Sequence, residues 1–97
     1  MDSDKINELC EKHEDEYLKF DRIPSEKKLV EQDDLCGLLY LYNRMKDKTK
    51  FDLHAEHDII YLPDVDDLVE LTEEDIIYLT RCGIHFDSEF DCFADFV

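Results

Sequence analysis

The sequence predicts a mainly α-helical chain: a single small domain, residues 1–97, of four or five helices with a minor strand pair near Ile59–Leu62 and Ile84–Phe86. Three observations carry that reading. Apolar residues recur at steps of three and four through the first twenty positions. A broad apolar surface follows between Leu29 and Met45. Start and stop signals then bracket Glu73–Cys82. With 97 residues, 43% of them hydrophobic, the chain can build one core and has no room for a second.

The first helix is expected over Asp4–Phe20, with Asp2 or Ser3 as its N-cap. Ile6, Leu9, Cys10, His13, Tyr17 and Phe20 form its apolar stripe. Asp4, Glu8, Glu11 and Asp15 make a carboxylate row on the far side. Glu8 with Lys12 and Asp15 with Lys19 suit favourable (i, i+4) ion pairs. Pro24-Ser25 breaks the chain and opens a second helix that runs to about Lys48. Leu29, Leu35, Cys36, Leu38, Leu39, Tyr42 and Met45 place that helix at the centre of the core. Gly37 inside it costs about 1 kcal/mol relative to Ala, which a close helix crossing would explain.

His57 to Pro63 reads as a short buried strand, four β-favouring residues ended by a proline. Asp64–Leu71 reads as a helical turn. Thr72 and Asp75 then resemble a capping box, with Leu71 and Ile76 as a hydrophobic staple. Gly83 suits the left-handed stop, so a helix is predicted over Glu73–Cys82. Ser88 and Asp91 repeat the start signal and predict a final helix with Phe90, Phe93 and Phe96 or Val97 on its inner side.

Charge separates the two halves. Residues 51–97 hold fourteen carboxylates and one basic residue, Arg81, against a net charge of −16 for the whole chain. Disordered acidic segments lack branched and aromatic residues, but this half is rich in them and can fold. A net charge of −16 lies beyond the magnitude of about 2–8 that keeps a small domain soluble. A folded surface of one sign attracts cations and repels nucleic acid and anionic membrane, so neither is expected as a direct partner. The acidic N-terminus lacks a secretory pattern, and the longest apolar run is far below the roughly 20 residues of a span. The expected compartment is therefore the cytoplasm, with Cys10, Cys36, Cys82 and Cys92 as reduced thiols.

Several chemistries compete with plain binding. Cys10-x-x-His13 and Cys82-x-x-His85 offer two zinc ligands each, although Cys10 and His13 also fit the core stripe. Asp64-Val65-Asp66-Asp67 suggests calcium, but the loop positions that need Gly and Glu hold Val69 and Asp75. Two glycines leave no phosphate or oxyanion loop, so the chain does not read as an enzyme and no cofactor is expected. Arg44, Lys46, Lys48 and Lys50 cluster, and are expected to neutralise part of the acidic half, within the chain or across a homodimer.

The remaining feature is an acidic surface of helical carboxylate rows, a regular anionic ladder. The residues singled out as partner-binding are Glu56, Asp58, Asp64, Asp66, Asp67, Glu70, Glu73 and Glu74, with Asp75, Asp87, Glu89, Asp91 and Asp95 as further acidic candidates. In size and charge the chain resembles the small acidic phage-encoded inhibitors of host defence and DNA-processing enzymes, including DNA mimics. Leu71-Thr72-Glu73-Glu74-Asp75-Ile76-Ile77-Tyr78-Leu79-Thr80-Arg81-Cys82-Gly83-Ile84 also looks like small phage proteins. The resemblance implies a non-catalytic inhibitor, cytoplasmic in the host, that occupies a basic surface of a nucleic-acid-handling enzyme. Two other readings stand beside it. One is an adaptor module that binds through Tyr40, Tyr42, Tyr61 or Tyr78, its acidity serving solubility. The other is a small zinc-binding domain using Cys10, His13, Cys82 and His85.

Overall fold

The computed structural model describes residues 1–96. It holds three α-helices, α1 (Ser3–Lys12), α2 (Asp33–Tyr42) and α3 (Glu73–Arg81). Four strands, β1 (His54–Glu56), β2 (Ile59–Asp64), β3 (Ile84–Asp87) and β4 (Cys92–Phe96), form one antiparallel sheet in the order β1-β2-β4-β3. The expected mainly helical domain of four or five helices is therefore corrected to a mixed α and β fold. The two strands foreseen do form, but they do not pair with each other. β4 lies between them and bonds to both.

β4 is the element the sequence concealed. Phe90, Phe93 and Phe96 are spaced as on a helix, yet only Phe93 enters the core, at 1% exposure, while Phe90 and Phe96 are the exposed ones at 56% and 59%. Val97, the alternative inner residue of that expected helix, lies outside the described residues. Asp87 closes the β3–β4 turn by accepting the Glu89 and Phe90 amides at 3.0 and 3.2 Å. Asp91 follows with φ 52°, a left-handed conformation that cannot continue a helix. β1 escaped notice because its turn is His57-Asp58 rather than the usual Asn-Gly. Both residues sit at positive φ, 53° and 64°, as a two-residue hairpin turn requires.

The first two helices are shorter than their periodicity suggests. Asp2 caps α1 by accepting the Lys5 amide at 2.9 Å, and the helix stops at Lys12. Beyond it the chain turns so that Glu16 can meet Arg22 and Arg81, each at 2.5 Å. α2 begins only at Asp33, after Gln32 caps the Leu35 amide at 3.1 Å. Past its end, Arg44 to Lys46 run beside Asp67 to Val69 through backbone bonds of 3.0 and 2.7 Å. Gly37 marks a close approach, but to the start of β3 and the end of α3 rather than a helix crossing: a Cβ there would stand 2.5 Å from Ile84 Cγ1 and 3.0 Å from Cys82 Cβ.

α3 matches its signals. The Thr72 hydroxyl accepts the Asp75 amide at 3.2 Å, and the Asp75 carboxylate accepts the Thr72 amide at 2.8 Å. Gly83 at φ 84° ends the helix and donates its amide to the Thr80 carbonyl at 3.0 Å. Ile6, Leu9, Leu41, Ile76, Leu79, Ile84 and Phe93 meet in the core between the helices and one sheet face. No helix among the described residues is long and apolar enough to cross a membrane.

Candidate acidic interaction surface

The acidic residues divide by what local structure asks of them. Glu73 binds Lys12 at 3.1 Å and His13 Nε2 at 2.6 Å, tying α3 to α1. The hydrogen bond from His13, then that from Lys12, holds the Glu73 carboxyl below the usual range. Lys12 is thus used across the fold rather than by Glu8. Glu70 pairs with the Met1 amine. Asp75 is buried and accepts hydrogen bonds from Tyr40 and from Arg44, the latter at 3.3 Å. Burial raises its carboxyl, but the bonds from Tyr40 and Thr72 and the Arg44 charge outweigh it and leave it lowered. Lys46 Nζ reaches the Asp66 carbonyl at 2.9 Å, so Arg44 and Lys46 serve the acidic half within the chain.

Glu8, Glu16, Glu56, Glu70, Glu73 and Asp75 are the carboxylates that have a basic group within 4.0 Å among the described residues. The others are free of such pairing, and sheet register decides where they gather. Glu56 and Asp58 stand at the β1–β2 turn. Asp64 stands at the other end of β2, about 17 Å away at 3.3 Å per residue. The stretch Glu56–Glu74 is therefore not one surface.

A different set converges. Cys92 of β4 pairs with Asp64 on one side and Asp87 on the other. The Val65 amide donates to the Asp91 carbonyl at 3.0 Å. Asp64, Asp66, Asp87, Glu89 and Asp91 consequently share one end of the sheet, with Asp67 on the turn beside them. The chemistry of the neighbours records this crowding. Burial first, then the charges of Asp87, Asp64 and Asp91, push the Cys92 thiol up. Partial burial and the charges of Asp87, Glu56 and Glu89 do the same to the Tyr61 phenol. Phe90 projects from this end at 56% exposure, edge-on to Tyr61 with centroids 5.4 Å apart. Comparison with protein-family models, curated proteins and solved structures returns no significant match. Geometry alone must therefore carry the functional reading.

The other candidate sites are dispersed. His13 engages Glu73, Cys82 is buried against α2, and Cys10 and His85 line a separate cavity of about 310 Å³ with Tyr17 and Thr80. No group of three or more His, Cys, Asp or Glu among the described residues is placed to hold a metal ion. Burial, then the Glu11 charge, pushes the Cys10 thiol up to about 11, which keeps it protonated and unreactive. Tyr40 and Tyr78 stack at 4.0 Å in a cleft of about 590 Å³ that also takes in Arg44, Glu74 and Arg81. Tyr42 instead packs edge-on against Phe51 at 5.3 Å, and Tyr61 lies on the sheet.

The helix expected from the Ser88 start signal takes in Glu89 and Asp91 and leaves Asp87 just outside it, so the sequence pattern does not join the three. The signal that could have joined them to Asp64 was the pair of β-rich runs at Ile59–Leu62 and Ile84–Phe86. Two such strands that do not pair directly need a third between them.

Proposed function

We propose that this protein is a non-catalytic, cytoplasmic binding protein of the phage-inhibitor type. It presents the sheet-end carboxylates to a basic surface on a nucleic-acid-handling enzyme and blocks it. The observation that carries this reading is the β2–β4–β3 register, which gathers around one exposed phenylalanine five carboxylates without basic partners among the described residues. Fixed carboxylates meet the Lys and Arg that an enzyme spaces for phosphates. Phe90 adds an apolar anchor of the kind that dominates interface energetics.

The test is capture of partners from lysate at low and high salt by the native chain and by a patch variant. That variant carries Asp64→Asn, Asp66→Asn, Glu89→Gln and Asp91→Asn. The substitutions keep the turn acceptor at Asp64 and the left-handed tolerance at Asp91. Native capture should fall steeply with salt, and the variant should fold normally and capture little. Capture by the variant equal to native would falsify the reading. The stacked Tyr40 and Tyr78 cleft favours the adaptor reading as the second choice. It predicts capture that is insensitive to salt and lost on Tyr78→Ala.

A further inference from the structure

A second acidic recess lies between the start of α2 and the sheet. Asp95 is 3% exposed on β4, opposite Ile60 and Ile84, and its Oδ2 has no hydrogen-bond partner among the described residues. Asp95, Asp33 and Asp34 line a cavity of about 220 Å³ that also takes in Gln32, Tyr17 and Phe96. No Lys or Arg lines it among the described residues. Asp33 and Asp34 have a local reason to be there, since they occupy the positive end of α2. Asp95 has none. It faces two like charges from inside the core, and a buried carboxylate oxygen without a partner needs an explanation.

Size, charge and shape narrow the occupant. The cavity is below the roughly 300–1,000 Å³ of pockets that enclose drug-sized molecules, so it suits one side-chain head. Three carboxyl groups demand a cation. The carboxylates are not placed to hold a metal ion. A guanidinium is planar, offers a fork of donors to carboxylates, and stacks on aromatic side chains such as Tyr17 and Phe96.

We propose that this recess is a receptor for a single guanidinium, the side chain of an arginine presented by a protein partner. In identifying the source as a basic protein surface it rests on the function proposed above; guanidinium binding itself does not. Entry of the cation displaces a proton. Burial first, then the Asp34 hydrogen bond and the charges of Asp34 and Asp33, raise the Asp95 carboxyl to about 7. In the empty recess a proton shared between Asp95 and Asp34 would satisfy the Asp95 oxygen that otherwise lacks a partner. Beside the charged Asp33, the Tyr17, Cys82 and His85 side chains packed around it stay neutral there. Burial raises Tyr17, with Asp95 adding to it, and burial raises Cys82 from α3. His85 of β3, stacked on Phe96 at 4.1 Å, is lowered by burial.

Affinity follows the fraction of recess that is deprotonated, about a tenth at pH 6 and about nine tenths at pH 8. The test titrates the whole protein with N-acetyl-arginine methylamide at both pH values, reading the amide signals of Asp34 and Asp95. Parallel titrations use free arginine, an arginine-bearing peptide, the matching lysine amide and magnesium chloride. The arginine amide should bind about tenfold tighter at pH 8 than at pH 6, ahead of the lysine amide, and the peptide at least as tightly. Asp95→Asn should abolish the response and Asp34→Asn should weaken it.

No saturable shift in the native protein overturns the proposal, as does binding that ignores pH, equal binding of magnesium, or an unchanged response in Asp95→Asn. Free arginine binding tighter than the peptide overturns the protein source. The patch variant separates this inference from the function above. It should keep the arginine response while losing partner capture. A native chain without that response overturns the recess alone.

Discussion

Asp75 and Asp95 are both buried, at 6% and 3% exposure, and they sit in opposite environments. Asp75 receives the Tyr40 hydroxyl, the Thr72 amide and the Arg44 guanidinium, and its carboxyl is lowered. Asp95 faces Asp34 and Asp33, keeps one oxygen unpaired among the described residues, and its carboxyl is raised to about 7. Burial penalises the charge in both places, and only the partners differ. One aspartate fastens the fold and the other holds it under load.

The largest effect that probes this contrast is Asp75→Ala. It strands Arg44 and the Thr72 amide and should cost about 2–4 kcal/mol in urea unfolding. Asp95→Asn should act in the other direction and stabilise the protein on the order of 2 kcal/mol at pH 8. The sign follows from the folded value of about 7 lying above the ordinary 3.8. The native state then binds the proton more tightly, so the wild type loses stability as pH rises from about 4 through 7. Asp75 is lowered, so its contribution is present above its unfolded value and lost as pH falls through the folded one. A pH series of thermal melts should show both limbs in the wild type and only the acid one in Asp95→Asn. Persistence of the upper limb in that variant would remove Asp95 as its origin.

Smaller effects sharpen a related contrast between the starts of α3 and β4. Thr72-x-x-Asp75 and Ser88-x-x-Asp91 carry the same pattern, yet the first caps a helix and the second closes a hairpin. Thr72→Ala should cost about 1 kcal/mol. Ser88→Ala should change stability by less than about 0.5 kcal/mol, because Ser88 is exposed and its side chain bonds nothing among the described residues. Equal losses in denaturant would mean that both residues cap. Least of all, Asp91→Asn should be neutral, whereas Asp91→Val at φ 52° should cost about 1–2 kcal/mol.

That pair of motifs also shows how far the sequence was legible. α3 could be read in full because its start, stop and apolar face are local and agree. Gly37 could be flagged because helices rarely tolerate an unexplained glycine, and the Ile84 contact supplies the reason. The periodicity of residues 13–20 misled because the backbone leaves the helical conformation at Leu18, φ 63°, while Glu16 pairs with Arg81 and Arg22. β4 was hidden because a central strand buried on both faces has no alternation to display. The acidic surface was legible as composition but not as place. Asp64 and Asp87 become neighbours only through Cys92, which neither local pattern names.

β2 and β3 are both antiparallel to β4, hence parallel to each other, and α3 connects them: a split β-α-β unit whose gap β4 fills. The two hairpins close through short turns, but β2 meets β4 only through pairs 28 positions apart, Asp64 with Cys92, to 37 apart, Ile59 with Phe96. Local hairpins form in microseconds, while distant pairings wait for a loop-closure cost to be met. Insertion of β4 is therefore expected to come after the two hairpins have formed. Until it happens Asp64 and Asp87 are strangers, and the acidic end of the sheet exists only in the finished molecule.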